Sequence, residues 1–260
     1  MSIHSSNGIK YLTFELFDHY GIRHGIFMRH GGVSPRPWNS LNMATSVGDT
    51  RENVIENRAR IAGALRIGEN SFFDVWQVHS ADVIKAHAPR PLGVPHQRGD
   101  ALITDQTNVS LLMLFADCVP VFLFDVRRRV AGLAHAGWQG TARRVVSTAL
   151  NNMRSQYGCR PEDIIAGIGP AISVGKYQVR PELLDYFEPK FFNLDEIHFQ
   201  NDASHFLDLK KANEQLLRRE GITQIENMNI CTAGNTLDWY SHRGENGKTG
   251  RFAVVLCVND

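Results

Sequence analysis

The sequence predicts an α+β fold in one domain, with mixed β-sheets inside and helices outside. Three observations carry this. Apolar runs of strand length crowd together between Val109 and Trp138. Two longer segments, 51–65 and 140–157, have helical rather than alternating spacing. No repeat, low-complexity tract or linker divides the 260 residues, so a single unit over 1–260 is expected.

Taken in order, Tyr11–Phe17 and Ile22–Arg29 read as two short strands around the turn Asp18–Gly21. His30–Asn42 (HGGVSPRPWNSLN) is rich in Gly, Pro, Ser and Asn and reads as a long functional loop. Asp49 and Thr50 give a cap signal, and Val54, Arg58, Ile61 and Leu65 then repeat at helical spacing, which predicts a helix over Arg51–Leu65. Asp74–Ala86 reads as a strand with His79 in its middle or at a bulge, followed by a proline-rich loop. Val119–Asp125 and Val130–Ala136, joined by a short basic turn, predict an antiparallel hairpin, and runs this apolar suggest cover on both faces. Gly140–Tyr157 predicts a helix capped by Thr141. Asp163–Ile168 and Arg251–Val258 predict strands, and Pro181–Phe187 and Leu207–Glu220 predict helices.

Composition narrows the function. Lys and Arg number 28 against 27 Asp and Glu, so no global field draws in nucleic acid or an anionic membrane. No apolar run approaches the roughly 18 residues of a membrane span, and the first residues lack the pattern of a signal peptide. Four scattered cysteines argue against a disulfide framework and for a cytoplasmic protein.

Three residues carry the candidate chemistry: His79 in WQVHSADV, Cys118 in FADCVPV and His135 in AHAGWQGT. One thiolate and two imidazoles suit a divalent zinc, and three protein ligands leave a fourth position open, as in catalytic sites. Cys118 and His135 fall on partner strands of the predicted hairpin, and His79 must arrive from a third strand. The spacing matches neither CxxC nor HExxH, so on the residues alone a buried cysteine with two hydrogen-bonded histidines is the more ordinary reading. A Cys118–His135 dyad would also serve a cysteine hydrolase. Gly137 and Gly140 precede a helix start that suits phosphate. Arg29, Arg58, Arg243 and Arg251 are anion-binding candidates, although each also fits a solvated surface. Asn42, Gln77, Asp100 and Asp117 are polar residues beside apolar segments.

Read together, RHGGVSPRPWNSLN, GDTRENVIENR, QVHSADV, GDALIT, ADCVPVFLFD, AHAGWQGT, GIGPAI and CTAGN…YSHRGENGKTGRFA closely resemble the bacterial laccase-domain family, also called YfiH-like or multi-copper polyphenol oxidoreductase. The likeness runs from about Arg29 to the C-terminus. It implies an α/β/β/α layering similar to the catalytic domain of a cytotoxic necrotising factor toxin, and zinc held by His79, Cys118 and His135. It implies purine nucleoside phosphorolysis of adenosine, inosine, guanosine or 5′-methylthioadenosine, with deamination of adenosine. Nucleoside and phosphate are then the partners; oligomeric state is left open. Catalysis falls to Asp117, Cys118 and His135, and substrate or phosphate binding to Arg29, Asn42, Arg58 and Gln77. Two departures remove charge near the presumed anion site: Gln139 and Gly244 stand where the family commonly has arginine.

Copper-dependent oxidation of phenols, the activity in the family's name, fits the residues less well. A blue multicopper site needs about ten histidines, mostly in His-x-His pairs; this chain has 11 in all and no such pair. An open zinc site instead suits deamination, with Asp117 or Asp100 moving protons. A non-catalytic metal-binding or partner-binding protein is the remaining alternative.

Overall fold

A computed structural model describes residues 1–258. Its first strands are β1 (Ser2–Ser6) and β2 (Ile9–Thr13), followed by a short helix α1 (Glu15–His19) and β3 (His24–Phe27). The expected strand Tyr11–Phe17 therefore ends early. Phe14 begins a helical turn whose Phe17 enters the core. Helix α2 spans Arg51–Leu65, as predicted. The Thr50 side chain accepts the Asn53 N–H at its start, and Arg66 in the left-handed region ends it.

The expected strand Asp74–Ala86 is not one strand. Only β4 (Phe72–Phe73) and β5 (Val83–Lys85) pair regularly, and the chain between them is mostly irregular. The physical reason is a single carboxylate. Asp100 accepts the backbone N–H groups of Val78, His79 and Ser80, so these donors leave the sheet ladder, and His79 takes a left-handed φ of 59°.

Strands β6 (Ala101–Thr104), β7 (Ser110–Phe115), β8 (Val119–Asp125) and β9 (Val130–Ala136) follow. The β8–β9 hairpin has the predicted bounds and places Pro120 opposite His135. The single helix expected over Gly140–Tyr157 is instead two, α3 (Trp138–Ala142) and α4 (Val145–Tyr157), because Arg144 adopts a left-handed φ of 60° between them. Thr141 is consequently not a cap; it lies buried inside α3.

The remaining elements are β10 (Ile164–Ile168), β11 (Gln178–Val179), α5 (Leu194–Ile197), β12 (His198–Asn201), β13 (Ser204–Leu207), α6 (Leu209–Arg219), β14 (Gln224–Asn227) and β15 (Phe252–Cys257). Pro181–Tyr186 is a 3₁₀ segment rather than an α-helix.

Two six-stranded mixed sheets form the body, in the orders β1-β2-β3-β15-β7-β4 and β14-β10-β8-β9-β6-β5; a small sheet β11-β13-β12 stands beside them. Strand alternation sorts the core into layers. Phe252, Val254 and Leu256 of β15 meet Phe122 and Phe124 of β8 between the large sheets. Ala253 and Val255 face the other way, with Ile61 and Leu65 of α2. Val121 and Leu123 of β8 turn outward to α4 and α6. The layering is α/β/β/α, and it explains why β8 and β9 are apolar along their whole length: both faces are covered. Among the described residues no helix is long and apolar enough to cross a membrane.

Candidate metal centre and its cavity

Three chain segments converge at one end of the inter-sheet layer. His135 sits on the inward face of β9, Cys118 lies in the turn entering β8, and His79 arrives on the irregular loop. Their donor atoms all lie within 4.8 Å of one another, with Cys118 Sγ 3.9 Å from His79 Nε2. Donors around a tetrahedral first-row ion, at bonds of about 2.0–2.3 Å, stand roughly 3.3–3.8 Å apart, so this set closes on such an ion by shifts of about 1 Å or less.

Gly137 makes the approach possible. A Cβ there would lie 2.9 Å from Cys118 Sγ and 2.9 Å from His79 Cδ2. No side chain can occupy that position without moving two donors.

Asp100 orients the set from below. It is fully buried. Its Oδ1 accepts from His79 N–H at 3.0 Å and pairs with His135 Nδ1 at 2.9 Å. Its Oδ2 accepts Ser80 N–H at 2.7 Å and the Ser80 hydroxyl at 3.0 Å. A proton held on His135 Nδ1 leaves Nε2 as the free donor, the usual carboxylate–histidine–metal arrangement. Burial tends to raise the Asp100 pKa, but the bond and charge of His135 and the loop N–H groups bring it down to about 2. Burial likewise opposes charge on Cys118, yet the neighbouring His135 and His79 lower the thiol to about 6. For His135, burial is outweighed by the Cys118 thiolate and Asp100, which raise it to about 9. Each group thus favours the charged form of the other.

The donors open onto a cavity of about 580 Å³, ordinary for a small-molecule site. Five arginines line it: Arg51, Arg58, Arg90, Arg243 and Arg251. Their environments differ. Arg58 and Arg90 both pair with buried Asp74, and His96 approaches the same carboxylate at 3.2 Å. Arg243 donates to Gln178 O and Arg251 to Gly250 O, and among the described residues neither has a carboxylate partner. Arg243 also lies over the Tyr177 ring, 5.2 Å from its centroid.

The two clusters sit at different depths. Phe73 pairs with Leu111, and Gln77 bonds both backbone groups of Leu114 at 2.8 and 2.9 Å, so the chain from Asp74 toward His79 runs beside β7. Along β7 the step from Leu111 to Leu114, at about 3.3 Å per residue, separates the Asp74 end from the Gln77 end by roughly 10 Å.

The sequence-designated residues divide accordingly. His79, Cys118, His135, Asp117, Arg58 and Gln77 all line the cavity. Arg29 does not. Its guanidinium bonds Asn39 O, Thr236 O and Glu245 and stacks on Tyr240, tying three loops together. Asn42 is fully buried beneath the cavity wall, where its Oδ1 accepts Arg251 N–H and its amide bonds Asp49. Gln77 directs its amide to Leu114 rather than into the cavity. The carboxylates assigned to proton transfer are both occupied. Asp117 accepts from Thr232 Oγ1, Ser241 Oγ and Arg243 N–H, and with a φ of 85° it fixes the turn that presents Cys118. Gly140 and Thr141 lie inside the five-residue α3 rather than at a long helix start. Sequence reasoning missed Asp74, Arg90 and Tyr177; only the burial of Asp74 between apolar residues in FFDVW hinted at a paired charge.

Asp74 supplies a testable consequence. Burial tends to raise its pKa, but the His96 hydrogen bond and the Arg58 and Arg90 charges outweigh this and hold it well below the usual carboxylate range. A depressed folded-state pKa contributes stability above the unfolded value of about 3.9, and that contribution is lost as pH falls toward the folded value. Thermal melts from pH 6 to pH 3 are expected to show a steeper loss of stability in wild type than in Asp74→Asn.

Comparison with known proteins shows the family. The profile of the family described as multi-copper polyphenol oxidoreductase laccase matches residues 23–259. A Deinococcus radiodurans protein named purine nucleoside phosphorylase is 36% identical over 235 residues, spanning 90% of this chain and 88% of its own length. Purine nucleoside phosphorylase YlmD of Bacillus subtilis is 34% identical over 245 residues, covering 91% and 88%. The crystal structure of YlmD from Geobacillus stearothermophilus superposes with a TM-score of 0.92 at 31% identity, covering 99% of this chain and 98% of that one. The chain belongs to the multi-copper polyphenol oxidoreductase laccase family.

Proposed function

We propose that the protein is a zinc-dependent purine nucleoside phosphorylase that also deaminates adenosine. The observation that carries this reading is a His–Cys–His donor set beside arginines without carboxylate partners, at one end of a cavity of small-molecule size. Relatives named purine nucleoside phosphorylase support the substrate class. The mixed thiolate and imidazole donors favour zinc over a hard oxygen-seeking ion, and zinc over a multicopper cluster, since these three residues are the one candidate metal group among the described residues.

In phosphorolysis a phosphate oxygen forms a bond to C1′ of the ribose. The C1′–N9 bond breaks, its electron pair stays on N9, and the base takes up the proton that the hydrogen phosphate gives up as its oxygen bonds to carbon. Arg243 and Arg251 hold the phosphate, because an anion there completes charges that the protein leaves without a carboxylate. Asp117 positions Arg243 through its backbone N–H and Cys118 through the turn, and is not itself the proton carrier. Arg58 remains tied to Asp74 at the far end and binds substrate only through that pair. Zinc, when bound by His79, Cys118 and His135, supplies Lewis-acid polarisation and water activation, the chemistry that deamination requires. Cytoplasmic residence follows the same reading, since its substrates are intracellular metabolites.

The test is direct. Zinc-loaded protein with adenosine and phosphate is expected to yield adenine and ribose 1-phosphate, with inosine as a second product. Absence of all three overturns the proposal. Arg251→Met is expected to raise the KM for phosphate by about 10- to 100-fold, as loss of a charge-assisted contact predicts, with the KM for nucleoside nearly unchanged.

A cysteine hydrolase is the second reading. The thiol lowered to about 6 beside a histidine bonded to Asp100 is the arrangement such an enzyme needs. The third donor, His79, separates the two readings: a dyad does not need it and a metal does.

A further inference from the structure

The metal donors border a second, smaller chamber of about 290 Å³. It shares His79, Asp117, Cys118, Ile172 and Tyr177 with the large cavity and adds Trp138, Gln139 and Leu209 as its own walls. Its character is opposite. Five arginines line the large cavity, whereas no lysine or arginine lines the small one among the described residues.

We propose that this chamber is the purine-base subsite, with Trp138 as the stacking platform and Gln139 reading the base edge. The proposal rests on the nucleoside reading above. Displacement at C1′ needs the entering phosphate and the departing base on opposite faces of one carbon. Two chambers that meet at the donors supply separate space for the two groups, and their charges say which is which. A phosphate dianion belongs with Arg243 and Arg251. A neutral flat heterocycle belongs between aromatic walls. Trp138 is half-buried and braced edge-on by Tyr186, with ring centroids 5.5 Å apart, so its indole is held in place while still facing the chamber. A purine is about the size of that indole and fits the volume. The Gln139 carboxamide has no partner among the described residues. It offers the donor and acceptor pair that matches N7 and the 6-amino group of adenine.

The test titrates adenine alone into the zinc-loaded protein and follows tryptophan fluorescence. Adenine is expected to quench wild type and Trp76→Phe, whose indole stands at the mouth of the large cavity, but not Trp138→Phe. In steady-state assays Trp138→Ala and Gln139→Ala are expected to raise the KM for nucleoside by about 10-fold, in line with base–aromatic stacking, and to leave the KM for phosphate unchanged. Quenching that survives in Trp138→Phe, or a Gln139→Ala effect confined to phosphate, overturns the subsite. Adenine quenching that depends on Trp138, in a protein that turns over no nucleoside, upholds the subsite and removes the phosphorylase reading.

Discussion

Cys118→Ala is expected to abolish stoichiometric metal binding and to lower nucleoside turnover by about a thousandfold or more, the several kcal/mol that a Lewis acid contributes. Removing the thiolate leaves two imidazoles, one of them exposed on a loop, and takes away the only charged donor. The fold does not depend on this residue. Cys118 lies in a turn at the margin of the core, and the Asp117 contacts to Thr232, Ser241 and Arg243 hold that turn without it. Elemental analysis of wild type and variant, with thermal melting as the control, separates loss of metal from loss of structure. Turnover that persists in Cys118→Ala would remove both the metal and the cysteine-nucleophile readings. Chelation distinguishes these two in wild type. A metalloenzyme loses activity with its ion and regains it on zinc addition. A cysteine hydrolase survives chelation and dies on thiol alkylation.

Much of this site was legible in the sequence because its strongest patterns are local. Residues Arg51–Leu65 form the expected helix because cap and apolar stripe agree. The β8–β9 hairpin follows from two fully apolar runs around a short turn, and its register alone brings Cys118 near His135. The illegible parts are those where one buried polar group overrides local preference. WQVHSADV has strand composition, yet Asp100, 21 residues beyond His79, captures three of its N–H groups and forces a loop. Arg29 sits beside glycines and looks free, yet Glu245, 216 residues away, claims it. The break at Arg144 arises from packing instead. Val145, Val146, Ala149 and Met153 must face β9, while the turn after His135 is fixed by the contact of Gly137 with Cys118 and His79. One straight helix cannot satisfy both demands.

Asp100→Asn tests that controlling role, and its effect is expected to be large although the substitution changes no shape. The carboxylate offers acceptors on both sides: Oδ1 to His79 N–H and His135 Nδ1, Oδ2 to Val78 N–H, Ser80 N–H and the Ser80 hydroxyl. An asparagine must turn its NH₂ toward one of these groups. Facing Val78 and Ser80, it opposes two backbone donors in a fully buried place, and each unpaired N–H costs about 1–3 kcal/mol. Facing His135, it compels Nδ1 to accept, which moves the imidazole proton to Nε2 and disables the metal donor. Either orientation breaks one of the two things Asp100 holds together. Metal affinity is expected to fall by about 10- to 100-fold, measured by chelator competition. The metal-free protein is expected to melt several degrees lower, about 2–4 °C for each kcal/mol lost in a chain of this size. The two measurements discriminate the orientations. A stability loss with modest metal loss places the amide against the loop, and the converse places it against His135. Wild-type values in both would show that His79 and His135 are positioned by their own packing, and that the carboxylate beneath them is incidental.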